Sequence, residues 1–254
     1  MSLINIRFMS STLMRNTDIN VIIPQKQTAG EIGISNNAKS EKYKTLLLLH
    51  GLSDDNSIWL RRSSIERYAT EYGIAVIMPS ADRSFYTDMK HGDKFYTFIS
   101  KEVLAVAREY LPLSDNFEDN YIAGLSMGGY GAFKIALRNP KDFSAAIGLS
   151  SVADVVSFMQ VHSPYLMERT FGESVPEQEN LFSLLANLKD GNEKQRFFSC
   201  IGKNDFMYNE NQKLKSAFEN TNLDFTYEEF EGVHSWAFWD YAIQVALKWL
   251  FKNK

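Results

Sequence analysis

One cysteine, Cys200, in a chain of 254 residues excludes an internal disulfide and any cysteine cluster for a metal. It sits in an apolar run and reads as a small buried hydrophobe. Histidine is scarce as well: His50, His91, His162 and His234, with no pair at H-x-x-x-H spacing. No metal is therefore expected. No apolar stretch approaches the roughly 18–20 residues of a membrane span. The segment Met1-Ser-Leu-Ile-Asn-Ile-Arg-Phe-Met9 carries an early arginine but no continuous apolar core of an export signal. The expectation is a soluble cytoplasmic protein with no membrane partner. Lys and Arg number 27 against 31 Asp and Glu, a formal charge of −4, and the basic residues are scattered. Nucleic acid is not an expected partner. There is no G-x-x-x-x-G-K-[ST] loop, and Gly128-Gly-Tyr-Gly131 is not a dinucleotide fingerprint, so no cofactor is expected.

The chain does have ample apolar material, at 44% hydrophobic residues, which suits one large α/β domain over residues 1–254. Residues 3–8 and 19–23 read as an antiparallel pair at one edge of a sheet. The polar stretch from Gln25 to Lys42 reads as a surface loop. After it, apolar strands (44–49, 74–78, 121–125, 143–149, 196–201, 225–230) alternate with helices (63–72, 95–110, 127–139, 212–220, 237–251). That rhythm predicts a mostly parallel sheet of about eight strands with helices on both faces. Residues 151–195 break it, with helix-like pieces at 155–159 and 181–188 and a loop through Phe171-Gly172 and Pro176. They read either as a small cap over a ligand site or as a crossover helix with a long surface loop.

The organising stretch is Tyr121-Ile-Ala-Gly-Leu-Ser-Met-Gly-Gly-Tyr-Gly131, which contains a G-x-S-x-G between a strand and a helix. That context makes a nucleophile elbow, with Ser126 at the apex of a strained turn and Gly124 and Gly128 leaving room for the neighbouring backbone. A serine needs a base, and the base needs a third group to hold it. His234, in Glu231-Gly-Val-His-Ser-Trp236, lies after the last strand and before the last helix, where a base can reach the elbow. His50 and His91 precede the serine, and His162 falls in the 151–195 segment. Asp205 lies just beyond the carboxyl end of the 196–201 strand and is the expected acid. Asp224 precedes a strand and Glu228 is mid-strand, so both face the wrong way. Two backbone N–H groups, of Met127 and of Leu52 in His50-Gly-Leu-Ser53, are expected to form an oxyanion hole. His50 would orient that loop.

With these residues assembled, the chain resembles the esterase D-like branch of the α/β-hydrolases over nearly its whole length. That branch includes S-formylglutathione hydrolases, bacterial tributyrin and acetyl esterases, feruloyl esterases and mycolyltransferases. The resemblance rests on His50-Gly-Leu-Ser-Asp-Asp-Asn-Ser-Ile-Trp59, Asp82-Arg-Ser-Phe-Tyr-Thr87, Gly124-Leu-Ser-Met-Gly-Gly129, Gly202-Lys-Asn-Asp205 and Gly232-Val-His-Ser-Trp-Ala-Phe-Trp239. It implies the α/β-hydrolase fold with an eight-stranded sheet, in which residues 151–195 are read as a small cap insertion. It also implies Ser126, Asp205 and His234 as a triad, with Leu52 and Met127 as oxyanion donors. Among these relatives the chain is most similar to the small tributyrin and acetyl esterases. S-formylglutathione hydrolases typically carry a cysteine shortly after His-Gly-Leu, where this chain has Ser53-Asp-Asp-Asn-Ser57. The expected activity is a serine carboxylesterase on small-molecule, short-chain acyl esters or acetylated sugars, with a formylglutathione thioesterase as the alternative. A non-catalytic binding protein on the same fold is the reading from another class. Trp59, Tyr86 and Trp236 are expected to bind substrate, in an acyl pocket shared with Leu52, Phe85, Phe158 and Phe171. Aromatic side chains at the surface would also allow a homo-oligomer.

Overall fold

The computed structural model describes residues 1–25 and 42–252, so the loop expected between Gln25 and Lys42 lies, apart from its two ends, outside the described residues. Eight strands form one sheet: β1 (Ser2–Ser10), β2 (Arg15–Ile23), β3 (Thr45–Leu49), β4 (Ala75–Pro79), β5 (Asn120–Leu125), β6 (Ala145–Leu149), β7 (Arg196–Gly202) and β8 (Asp224–Phe230). Their spatial order is β1-β2-β4-β3-β5-β6-β7-β8. The β1–β2 hairpin runs antiparallel at one edge and every pairing from β4 to β8 is parallel. This is the α/β-hydrolase arrangement. The alternation of β1 is that of an edge strand, whereas β3, β4, β5 and β6 are buried at every position. Covered on both faces, such strands are almost wholly apolar, with buried Thr45 and Asn120 only at the starts of β3 and β5.

Successive side chains of a strand point to opposite faces, and two cores result. Leu47, Leu49 and Ile122 join one, with Tyr130 and Phe133; Leu46, Leu48 and Tyr121 join the other, with Trp59 and Trp239. The helices are α1 (Ile58–Arg62), α2 (Ile65–Tyr72), α3 (Phe95–Thr97), α4 (Val103–Tyr110), α5 (Met127–Arg138), α6 (Val155–His162), α7 (Pro164–Phe171), α8 (Leu181–Ala186), α9 (Tyr208–Glu219) and α10 (Trp236–Phe251). A π turn at Phe98–Glu102 joins α3 to α4, so the helix expected over 95–110 is continuous but locally widened.

Two differences from the sequence reading have local causes. The helix expected from residue 63 starts at Ile65, because the chain already turns through the short α1 and Ser63 caps that helix in extended backbone. The loop expected around Phe171 is preceded by α7, which begins at Pro164, a residue preorganised for a first helical turn. Residues 151–195 thus hold three helices after the carboxyl end of β6. Their α7 is tied to the 88–94 loop, with Lys90 N–H donating to Thr170 O (2.8 Å) and His91 N–H to Arg169 O (3.0 Å). Among the described residues no helix is long and apolar enough to cross a membrane.

Candidate active site

Ser126 sits between β5 and α5 with φ 52° and ψ −116°, a conformation costing an L-residue about 1–3 kcal/mol. The turn is over-determined by its bonds: Ser126 N–H donates to Leu149 O (2.9 Å), and its carbonyl accepts from Tyr130 N–H and Val152 N–H (3.1 Å each). The flanking glycines are required by the same geometry. A Cβ on Gly124 would fall 2.3 Å from the backbone of Gly128, and one on Gly128 would fall 2.6 Å from His50 O.

His234 Nε2 lies 3.1 Å from Ser126 Oγ, and His234 Nδ1 lies 2.8 Å from Asp205 Oδ2. A carboxylate only accepts, so Nδ1 carries the proton and Nε2 is left free to accept from the serine hydroxyl. Asp205 is buried, and its other oxygen accepts from Met207 N–H (2.9 Å). The loops carrying acid and base are bonded to each other, Asn204 N–H to Gly232 O (3.0 Å) and Lys203 N–H to Phe230 O (2.8 Å). The imidazole packs edge-on against Trp239 (4.8 Å) and against Phe206 (4.9 Å). Asp224 pairs with Arg196 at the start of the strands, and Glu228 with Cys200 in mid-strand, so neither competes with Asp205.

Met127 opens α5, where an N–H has no acceptor in its own helix. Neither that N–H nor the one of Leu52 donates to another group among the described residues. The loop bearing Leu52 is fixed through His50, which is buried. His50 Nε2 accepts from Ala81 N–H (2.9 Å), so Nδ1 holds the proton and donates to Gly51 O (2.7 Å). Burial pushes the His50 pKa down, which keeps the ring neutral in that tautomer.

The aromatic residues expected to bind substrate are divided by the fold. Tyr86 has no exposed surface, and its hydroxyl donates to His50 O (2.8 Å). Trp59 is 1% exposed, and its Nε1–H donates to Leu49 O (3.0 Å). Trp59 braces the end of β3 and Tyr86 the loop that follows it, and neither exposes a ring to a ligand, which corrects their place in the sequence reading. Phe85 and Phe171 are buried too. Trp236 keeps some exposure, packed edge-on against Trp59 (5.1 Å) and Trp239 (5.4 Å). Phe158 lines a groove of about 160 Å³ with Val152, Val161, His162, Phe206 and Met207. A wider groove of about 470 Å³ touches Ser53, Asp54, Arg83 and Arg169. Phe206 and Ala81 were not legible as site residues, since their place follows from loop packing. Among the described residues no group of three or more His, Cys, Asp or Glu side chains is disposed to hold a metal ion.

Residues 10–250 match the sequence model of a family described as "Putative esterase". An acetyl esterase of Caldicellulosiruptor saccharolyticus is 31% identical over 99% of each chain. Among solved structures, the substrate-bound fluorophosphonate-binding serine hydrolase F of Staphylococcus aureus superposes with a TM-score of 0.88 at 33% identity, covering 98% of each chain. An S-formylglutathione hydrolase of the same organism, as apoenzyme, gives a TM-score of 0.83 at 32% identity, again over 98% of each chain.

Proposed function

This chain belongs to the esterase D-like esterases, and on that footing we propose that it hydrolyses short-chain acyl esters through an acyl-enzyme on Ser126. The observation that carries the reading is the unbroken line from Asp205 through His234 to Ser126 Oγ. In this reading His234 Nε2 takes the hydroxyl proton as Ser126 Oγ attacks the ester carbonyl. The negative charge that develops on the carbonyl oxygen is met by the N–H groups of Leu52 and Met127. The tetrahedral intermediate collapses, His234 passes its proton to the departing alcohol, and the alcohol leaves. Water, deprotonated by the same nitrogen, then attacks the acyl-serine and releases the acid. Asp205 holds the Nδ1 tautomer and stabilises the imidazolium.

We read residues 151–195 as a cap. They start beside the nucleophile, with Val152 N–H on the carbonyl of Ser126, and wall the smaller groove. The short-chain assignment is supported by the likeness to an acetyl esterase over 99% of each chain. A cytoplasmic setting goes with the reading, supported by the lone, buried Cys200, which needs no oxidising compartment.

The experiment is hydrolysis of p-nitrophenyl esters from acetate to palmitate by the native protein and Ser126→Ala. We expect a maximum at acetate to butyrate that falls about 10³-fold or more on substitution. Equal rates on butyrate and palmitate would remove the short-chain assignment. The likeness to an S-formylglutathione hydrolase supports one rival, a thioesterase using the same serine. A kcat/KM on S-formylglutathione far above that on acetate esters would select it.

A further inference from the structure

Lysine 134 has no exposed side-chain surface, yet it sits in α5, about two turns beyond the nucleophile. All three of its N–H groups are used: on Glu179 Oε2 (2.6 Å), Thr87 Oγ1 (2.7 Å) and Phe85 O (2.9 Å). Glu179 comes from the 3₁₀ turn Glu177–Glu179 between α7 and α8 of the cap segment and is itself buried. Its second oxygen accepts from Arg138 Nη1 (2.6 Å), and its backbone carbonyl accepts from the Tyr130 hydroxyl. A buried ion pair of this kind is poor evidence of a stabilising device, because apolar residues of similar volume often do as well or better. What the pair holds is therefore the more informative question.

It holds a strained peptide. Phe85 and Tyr86 both have positive φ, 51° and 52°, a conformation that L side chains rarely adopt and that persists only where the surroundings enforce it. Lys134 bonds the carbonyl that lies between these two residues. The result lays the Tyr86 ring against Gly131, where a Cβ would fall 2.4 Å from the ring, and aims the Tyr86 hydroxyl at His50 O. Leu52 follows two residues later.

We propose that Lys134 and Glu179 are positioning residues for the oxyanion hole, holding the Phe85–Tyr86 peptide so that Tyr86 fixes the loop bearing the Leu52 N–H. The cap and the oxyanion loop are then one mechanical unit joined through α5. The proposal rests on the esterase reading above and on Leu52 as an oxyanion donor.

The test measures kcat, KM and Tm on p-nitrophenyl acetate for Lys134→Met, Glu179→Gln and the double variant Lys134→Met/Glu179→Leu. Each single variant leaves one partner charged and buried and should lower Tm. The double variant should recover most of that Tm while kcat stays at least tenfold down and KM stays within about twofold. A double variant with native Tm and native kcat would show the pair to be structural only, and the proposal would fall. Should the double variant not fold, Tyr86→Phe decides. It removes only the hydroxyl that reaches His50 O, and it should reproduce the kcat loss with Lys134 and Glu179 intact; native kcat there also overturns the proposal. Ser126→Ala is the control for the underlying reading. If its turnover persists, the serine mechanism fails, whatever the pair does.

Discussion

The two sides of Ser126 are built by different means. On one side, Asp205 and His234 stand just past the ends of β7 and β8, carried by short loops bonded to each other. On the other, the His50–Leu52 loop follows β3 but takes its shape from Ala81 and Tyr86, more than thirty residues on, with Trp59 bonded to the last carbonyl of β3. The acid and base are placed by where strands end. The loop after β3 is placed by buried polar contacts that converge from two other segments, one at Trp59 and one from Ala81 to Tyr86. The comparison teaches that the Ser126–His234–Asp205 line is aligned by local geometry, while the loop bearing Leu52 is aligned by the core.

The triad side gives the largest expected effect. Asp205→Asn leaves the shape intact but no longer holds the Nδ1–H tautomer, and kcat should fall by about 10⁴ with little change in KM. A loss below tenfold would mean that the local line of bonds is not what activates the serine.

Gly128→Ala touches both sides at once. Its Cβ would lie 2.6 Å from His50 O and 2.7 Å from Leu49 O, both backbone atoms that can yield only by moving the oxyanion loop away from α5. We expect kcat to fall by roughly 10²-fold, the scale of losing one oxyanion donor, with stability down by about 1–3 kcal/mol. Ester hydrolysis at native rate would show that the loop tolerates displacement.

A smaller effect comes from pH. Burial lowers the Lys134 pKa to about 8, against the pull of Glu179 and, more weakly, Asp88, with Arg138 lowering it further. From pH 8 to about 10 the folded chain has released a proton that the unfolded chain still binds. This group's contribution to stability therefore rises with pH across that window, while its ion pair with Glu179 is lost. Activity should decline through a limb near pH 8 by about the factor that Lys134→Met itself costs, without a matching fall in Tm. Lys134→Met should lack the limb; retention of it in that variant assigns the limb elsewhere.

The smallest effect on activity belongs to a control at the opposite end of β5. Asn120 is buried, accepts from Arg108 Nη2 (2.7 Å) and donates to Ser114 O (3.2 Å), a polar network of the same kind but remote from Ser126. Asn120→Ala should lower stability by about 1–3 kcal/mol with kcat unchanged. A kcat loss as large as that of Lys134→Met would mean that any buried polar defect is felt at the serine, and the contrast between the two sides would dissolve.

Much of this molecule was legible before its structure. Apolar runs of β3 to β6, the G-x-S-x-G between strand and helix, and an acid and a histidine after the last two parallel strands are all patterns along the chain. They locate Ser126, Asp205, His234 and the N–H of Met127 because strand ends in a parallel sheet share one edge, and periodicity reveals where strands end. The role of Tyr86 and Trp59 was not legible. An aromatic near a motif reads as pocket lining, and only packing shows whether its ring faces a ligand or the core. Nothing in residues 134 and 179 marks them as partners either, since a lysine in a helix and a glutamate in a loop ordinarily face water. Sequence alone determined the chemistry, because a nucleophile, a base and an acid must come in a particular order on this fold. Tertiary structure alone decided which tautomer His50 takes, which aromatics are buried, and that Lys134 and Glu179 meet beside the Phe85–Tyr86 peptide. Those outcomes depend on contacts between segments that meet only when the core closes.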